Sequence, residues 1–299
     1  MGQDRRGFLK SGAAAALAIS PFTSKMCCAS DKVNIAFIGV GLEGSSNLGF
    51  AASTPGVNVA AVSGDFRDVL ADKSIDAVCI ATSADSQARI AIQACKAGKD
   101  VWVETPACLS IEEGGKVVEA ARKYRRVVQA GTVHRSSGVF REAREIVKSG
   151  KLGDITFCRV FQPRADSGVN LMDIVQFIFD DAMPLSVTAQ ASNPETILAI
   201  YRYPCFIVSY ESRAADGNSG IVLHGTKATL RLNLGVYNPN MNMAHWANFV
   251  ECIHTRQKPA SDIETYVRST TTCMLANLAC RHSSAVTWDD KTFTWKREV

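Results

Sequence analysis

Three glycines, Gly39, Gly41 and Gly44, stand in G-x-G-x-x-G spacing between the apolar run IAFI and a helical segment. The first suits a tight turn, the second lets backbone amides approach a pyrophosphate, and the third lets helix and strand pack closely. Leu42 and Glu43 fill the intervening positions, at a helix start that would face the phosphates. The plain alternative is a glycine-rich turn without a ligand.

A second candidate is VWVETPACLS, residues 101 to 110, where an apolar strand ends in Glu104, Thr105 and Pro106 just before a helix start. Strand ends facing a cleft are where α/β enzymes place their chemistry. Thr82 closes the strand DAVCIAT in the same way, and with Glu104 it is read as a cofactor contact. A threonine hydroxyl has no accessible protonation change near neutral pH. Thr105 can therefore orient a substrate but cannot take its proton.

Other proton-handling groups are few. His134 follows the strand end in QAGTVHR and has the titration range a base needs; the alternative is an ordinary loop histidine. Arg135 beside it could clamp an acidic or hydroxyl-rich ligand. His224, His245, His254 and His282 lie apart, with no carboxylate or cysteine at ligand spacing, so no metal site is expected. Cys108 has no basic neighbour and reads as a packed side chain. Trp246 and Phe249 fall at helical spacing and read as core.

A dinucleotide fold also needs an acid near the end of its second strand to hold the adenosine ribose. The segment NVAAVSGDFRDVLAD offers Ser63 and Gly64 there, with Asp65 just beyond. Asp65 could bind a ribose or could cap the helix FRDVLAD. The interval before DAVCIAT is short, which predicts a shallow adenosine pocket.

From Val33 onward, continuous apolar runs alternate with amphipathic helices as far as RVVQAG, the pattern of a parallel sheet covered on both faces. Ser110 and Glu113 form a capping box for the helix after the ETP stretch. After VFREAREIVKSG come ITFCRVFQP, LSVTAQA, TILAIYRY, FIVSYESR, GIVLHGT and ATLRLNL, separated by turns, which reads as a largely antiparallel sheet. Two helices and a short strand pair close the chain. The expected architecture is α/β, with a dinucleotide-binding domain over 31–131 and a substrate or oligomerisation domain over 132–299.

The first residues join Arg5, Arg6, Phe8, Leu9 and Lys10 to a short apolar run and small residues up to Ala29, the pattern of a twin-arginine export signal over 1–29. A periplasmic or cell-envelope location follows from it. Four basic residues against one acid give that segment +3 of the total +4, so the remainder is near neutral. Neither a nucleic acid nor an acidic membrane is then an expected partner. The run Gly12 to Phe22 is too short to span a bilayer, and no transmembrane segment is expected. The cysteines beyond the signal show no C-x-x-C pair.

Taken together, GVGLEG, the run ADKSIDAVCIATSADSQARIAIQACKAGKDVWVETP, VVQAGTVHRSS, DSGVNLMDIVQF and HWANFVECIHTRQKPASDIETYVRSTTTC resemble the Gfo/Idh/MocA oxidoreductases. The resemblance implies a Rossmann domain, a C-terminal α/β domain whose open sheet often makes homo-oligomer contacts, NAD or NADP, and a sugar, polyol or similar substrate. It also implies a catalytic lysine in an E-K-P motif and an aspartate and histidine in D-x-x-x-H. Here these read Glu104, Thr105, Pro106 and Asp166, Ser167, Gly168, Val169, Asn170. The lysine and histidine positions are thus Thr105 and Asn170, and Asp166 alone survives. The loop that usually reads T-P-D-H-W-H-A is TSADSQA. Two readings follow, an oxidoreductase with an altered acid-base set and a ligand-binding or assembly protein without catalysis. NAD-dependent glycosidase chemistry is a third.

Overall fold

The computed structural model describes residues 32–163, 168–193, 195–212, 218–233 and 239–298. The segment read as an export signal, 1–29, and Asp166 lie outside the described residues.

The N-terminal sheet forms as its apolar runs demand. Strands β1 (Val33–Ile38), β2 (Val57–Ser63), β3 (Ala77–Ile80), β4 (Asp100–Val103) and β5 (Val128–Ala130) alternate with helices α1 (Leu42–Ala52), α2 (Phe66–Ala71), α3 (Ala84–Lys96) and α4 (Ile111–Lys123). The strands are parallel, in the order β2-β1-β3-β4-β5. The order reverses at β1, so the connections leaving the paired strands β1 and β3 run to opposite faces of the sheet and open a crevice beyond their carboxyl ends. β3 and β4 are buried throughout, as expected of strands covered on both faces. Ser110 caps α4 through Glu113 N, and Glu113 reaches back to Leu109 N.

A 3₁₀ turn (Val133–Ser136) and α5 (Gly138–Lys148) lead into the second sheet. It contains β6 (Ile155–Gln162), then, after α6 (Gly168–Ile178), β7 (Ser186–Asn193), β8 (Thr196–Arg202), β9 (Ile207–Ser212), β10 (Gly220–Gly225) and β11 (Thr229–Asn233). After α7 (Pro239–Thr255) and α8 (Ile263–His282), β12 (Val286–Asp289) and β13 (Thr294–Arg297) extend its far edge. All its pairings are antiparallel except β6 with β9. One face packs on α5, α6 and α8 through residues such as Phe140, Met172, Tyr201 and Leu275. The other bears the exposed Leu198 and Ile207. No described helix is long and apolar enough to cross a membrane.

The last two helices return to the first sheet. Trp246, Phe249, Val250 and Ile253 of α7 share a core with Val33, Ile35, Phe37 and Trp102. Ile263, Tyr266 and Val267 of α8 join the core on the other face of that sheet, while Leu275, Ala276 and Ala279 of the same helix enter the core of the second sheet. Trp102 and Trp246 stack with centroids 3.9 Å apart and planes 2° from parallel. Because Trp246 is wholly buried, Trp246→Ala is expected to cost about 3–5 kcal/mol, measured as a lower midpoint in urea unfolding.

Candidate active site at the carboxyl ends of the parallel strands

The glycine turn follows from steric necessity. Gly39 has φ +87°, and a Cβ there would lie 2.5 Å from the Ala81 carbonyl oxygen, so only glycine fits. At Gly41 an added Cβ would meet nothing within 4 Å. That open space above the amides at the start of α1 is where a pyrophosphate needs to come close. Gly44 is pressed against the Gly39 carbonyl and Ala81, and its lack of a side chain brings α1 onto the sheet. The three positions thus meet the steric demands of a dinucleotide cradle. Leu42 is 88% exposed beside it. Thr82 packs its methyl against Gly39, and its hydroxyl is 2.8 Å from the Ser86 hydroxyl.

Next to this turn lies a cavity of about 280 Å³. α1 contributes Glu43, Ser46 and Asn47; the end of β4 contributes Glu104 and Thr105; the end of β5 contributes Gly131, Val133 and His134; α6 and α7 supply Asn170 and Asn242. Five of the positions singled out in the sequence therefore meet in one space: Glu43, Glu104, Thr105, His134 and Asn170. Asn47 and Asn242 were not foreseen, since an asparagine on a helix carries no spacing signature.

Glu104 is held from several sides. Its Oε1 accepts from Asn47 Nδ2 at 2.8 Å and from Trp102 Nε1 at 3.0 Å. Its Oε2 accepts from the Thr105 amide at 3.2 Å. A Cβ on Gly131 would lie 2.6 Å from Oε1, so glycine is required to admit the carboxylate. Burial raises the Glu104 pKa, the three donors oppose the rise, and Glu43 adds to it. Asn47 also accepts from Trp246 Nε1 at 3.2 Å, which ties α7 to the same point.

His134 faces the cavity with its ring edge-on to Phe140, at 5.8 Å. Burial lowers its pKa and Asp173 opposes the shift, so the imidazole is neutral at pH 7. His245 has a different role. It is fully buried, with its Nε2 donating to the Ala130 carbonyl at 2.9 Å and its Nδ1 accepting from Ser136 at 2.7 Å. Burial drives its pKa down to about 4, and it braces the turn after β5. Burial pushes the Cys108 thiol up to about 12, which leaves no thiolate near neutral pH.

One expectation is corrected, and one of two open readings is formed. Arg135 is not a substrate clamp: it is 3% exposed, its Nε donates to both Asp173 oxygens at 2.9 Å, and its Nη2 donates to Asp181 at 2.8 Å. Its charge is spent inside the protein, locking the turn that presents His134 against α6. The Asp65 carboxylate accepts from Arg67 N at 2.9 Å and pairs with the Arg67 guanidinium at 3.2 Å. Between its two readings, the helix cap is the one formed. Among the described residues no group of three His, Cys, Asp or Glu side chains could hold a metal ion.

The fold and crevice define a Rossmann-type dinucleotide-binding architecture, and comparison with known proteins agrees. Residues 29–132 match the family described as an oxidoreductase family with an NAD-binding Rossmann fold, GFO_IDH_MocA. Over these residues the chain is similar to the Gfo/Idh/MocA oxidoreductases. The inositol 2-dehydrogenase of Salmonella typhimurium is 29% identical over 139 residues, 39% of this chain and 41% of that protein. The scyllo-inositol 2-dehydrogenase (NAD(+)) of Bacillus subtilis is 30% identical over 97 residues, 32% and 28% of the two chains. The aligned region thus spans about two fifths or less of these curated relatives. Two solved structures share the fold. One is scyllo-inositol dehydrogenase from Lactobacillus casei with NAD(H) and scyllo-inositol, with a TM-score of 0.74 at 20% identity over 86% of this chain and 99% of that one. The other is GenD2 from gentamicin A biosynthesis in complex with NAD, with a TM-score of 0.78 at 16% identity over 91% and 100%.

Arg135→Met should lower stability by about 3–5 kcal/mol, because it strands Asp173 without its counter-ion in the interior. Chemical denaturation measures this; an unchanged midpoint with weakened ligand binding would instead restore the clamp.

Proposed function

We propose that this protein binds NAD or NADP in the cradle of β1 and α1 and interconverts an alcohol and a carbonyl on a sugar-like polyol in the adjoining cavity. The observation that carries this reading is the convergence of the glycine turn, Glu104, Thr105, His134 and Asn170 around one space at the strand ends. Inositol is the compound named for the relatives and for one similar structure, and it supplies the substrate class here.

When bound, the nicotinamide supplies the hydride acceptor. The backbone amides at Gly41 and Leu42 would hold the pyrophosphate, and Glu43, Thr82 and Glu104 would border the rest of the dinucleotide. Oxidising an alcohol also needs a group to take the hydroxyl proton, and a positioned base contributes roughly 10²- to 10⁴-fold. Thr105 and Asn170 stand in the places of the family's lysine and histidine, and neither titrates near neutral pH. They orient hydroxyl groups by hydrogen bonds. Neutral His134 is the described cavity side chain best suited to accept the proton, with Asp166 of the D-x-x-x-H segment as a further acceptor.

The polar, non-titrating groups at positions 105 and 170 also favour a second reading, a family member that binds its ligand without turnover. Export by the twin-arginine route to the periplasm or cell envelope, and homo-oligomer formation through the outer face of the second sheet, complete the proposal. The sequence pattern supports the first and the exposed Leu198 and Ile207 support the second.

Calorimetric titration with NAD and NADP tests the cradle, and absence of heat with both at millimolar concentration would end the oxidoreductase reading. The paired substitution Thr105→Lys with Asn170→His should create or raise turnover on a panel of polyols by about 10²-fold or more. Binding without turnover in both proteins would leave the second reading standing. If His134 is the acceptor, kcat/KM should hold steady as pH falls to about 6.5, the ordinary histidine value, and decline only below it, because burial keeps the ring unprotonated. His134→Gln should remove that acid limb.

A further inference from the structure

The tip of β2 differs from what binding of an unphosphorylated adenosine ribose requires. An NAD site places a carboxylate there to accept from the ribose 2′-hydroxyl, whereas a site for the 2′-phosphate replaces the acid and brings up an arginine. Here Gly64 stands at the tip, exposed, and a Cβ on it would meet nothing within 4 Å. The tip lies beside the glycine turn, because Gly39 N donates to the Ser63 carbonyl at 3.3 Å. The Ser63 hydroxyl is turned onto its own chain, 2.8 Å from the Asp65 carbonyl and 3.1 Å from the Asp65 amide. The nearest acid, Asp65, is committed to the Arg67 amide and guanidinium.

Two cations lie against Phe66, two residues beyond the tip. Arg67, with a side chain 73% exposed, and Arg89 lie over the same Phe66 ring, at 5.3 and 5.5 Å from its centre. Arg89 has no ion-pair partner among the described residues. Vacant space, a missing acid and two guanidinium groups on one ring are the requirements of a dianionic phosphate.

We propose that the 2′-phosphate of NADP is the group this rim selects, with Arg67 as its main specificity residue and Gly64 providing the room. The inference rests on the dinucleotide-binding reading above and deepens it. Asp65 moderates the preference by neutralising part of the Arg67 charge.

The experiment is calorimetric titration of the full chain, and of its variants, with NADP and with NAD. The expected result is an affinity for NADP about tenfold or more above that for NAD, the effect of one charge-assisted hydrogen bond. Arg67→Ala should remove that advantage while leaving NAD binding unchanged. Gly64→Asp should reverse the preference, since the exposed position accepts a side chain without clash. Asp65→Asn should strengthen NADP binding alone. NAD binding as tightly as NADP, or Arg67→Ala weakening both alike, overturns the inference while the dinucleotide reading survives. Failure of both dinucleotides to bind overturns the two together.

Discussion

The carboxylate of Glu104 is the point on which the site depends. An acid at the end of a buried strand must be satisfied, since a partnerless carboxylate in the interior would revert to its neutral form. Here it is satisfied by an indole from its own strand, an amide from the phosphate-facing helix and the backbone of the next residue. Each bond fixes one neighbour. The glycine after β5 keeps the space clear. The cavity is therefore shaped by a polar group that three partners share, and loss of any one of them would loosen the other two.

The stacked pair Trp102 and Trp246 extends this arrangement into the apolar interior. Both indole nitrogens point toward the same network, one directly to Glu104 and the other through Asn47. Offset or parallel aromatic contacts add to the area such rings bury, but here the rings also align two hydrogen-bond donors. A helix near the end of the sequence thus helps determine where a side chain near its beginning can sit.

Much of this architecture was legible in the sequence. VNIAFI, DAVCI and DVWV are continuous apolar runs and can only be strands covered on both sides, and G-x-G-x-x-G after the first of them locates the crevice. The alternation in ITFCRVFQ and TILAIYR likewise marks strands of the second sheet. The site was legible in part. Thr105, His134 and Asn170 follow strand ends or a family motif, whereas Asn47 and Asn242 sit on helices and are recruited only by packing. Arg135 was misread because its partners, Asp173 and Asp181, lie far along the chain and only the folded turn turns it inward. The double duty of α8 was hidden as well. Its buried Ser269, Thr270, Thr271 and Thr272 blur the apolar stripe that would reveal two packed faces.

That last helix has a bearing on how the protein comes into being. Its first turns complete one core and its later turns complete the other, so neither half owns a finished interior until this helix has left the ribosome. The nucleotide crevice is built from early strands, yet the sheet beneath it rests on late helices. A nascent chain stalled before α7 would hold the glycine turn without the wall that supports it, and the capacity to hold a ligand would arrive only with that helix.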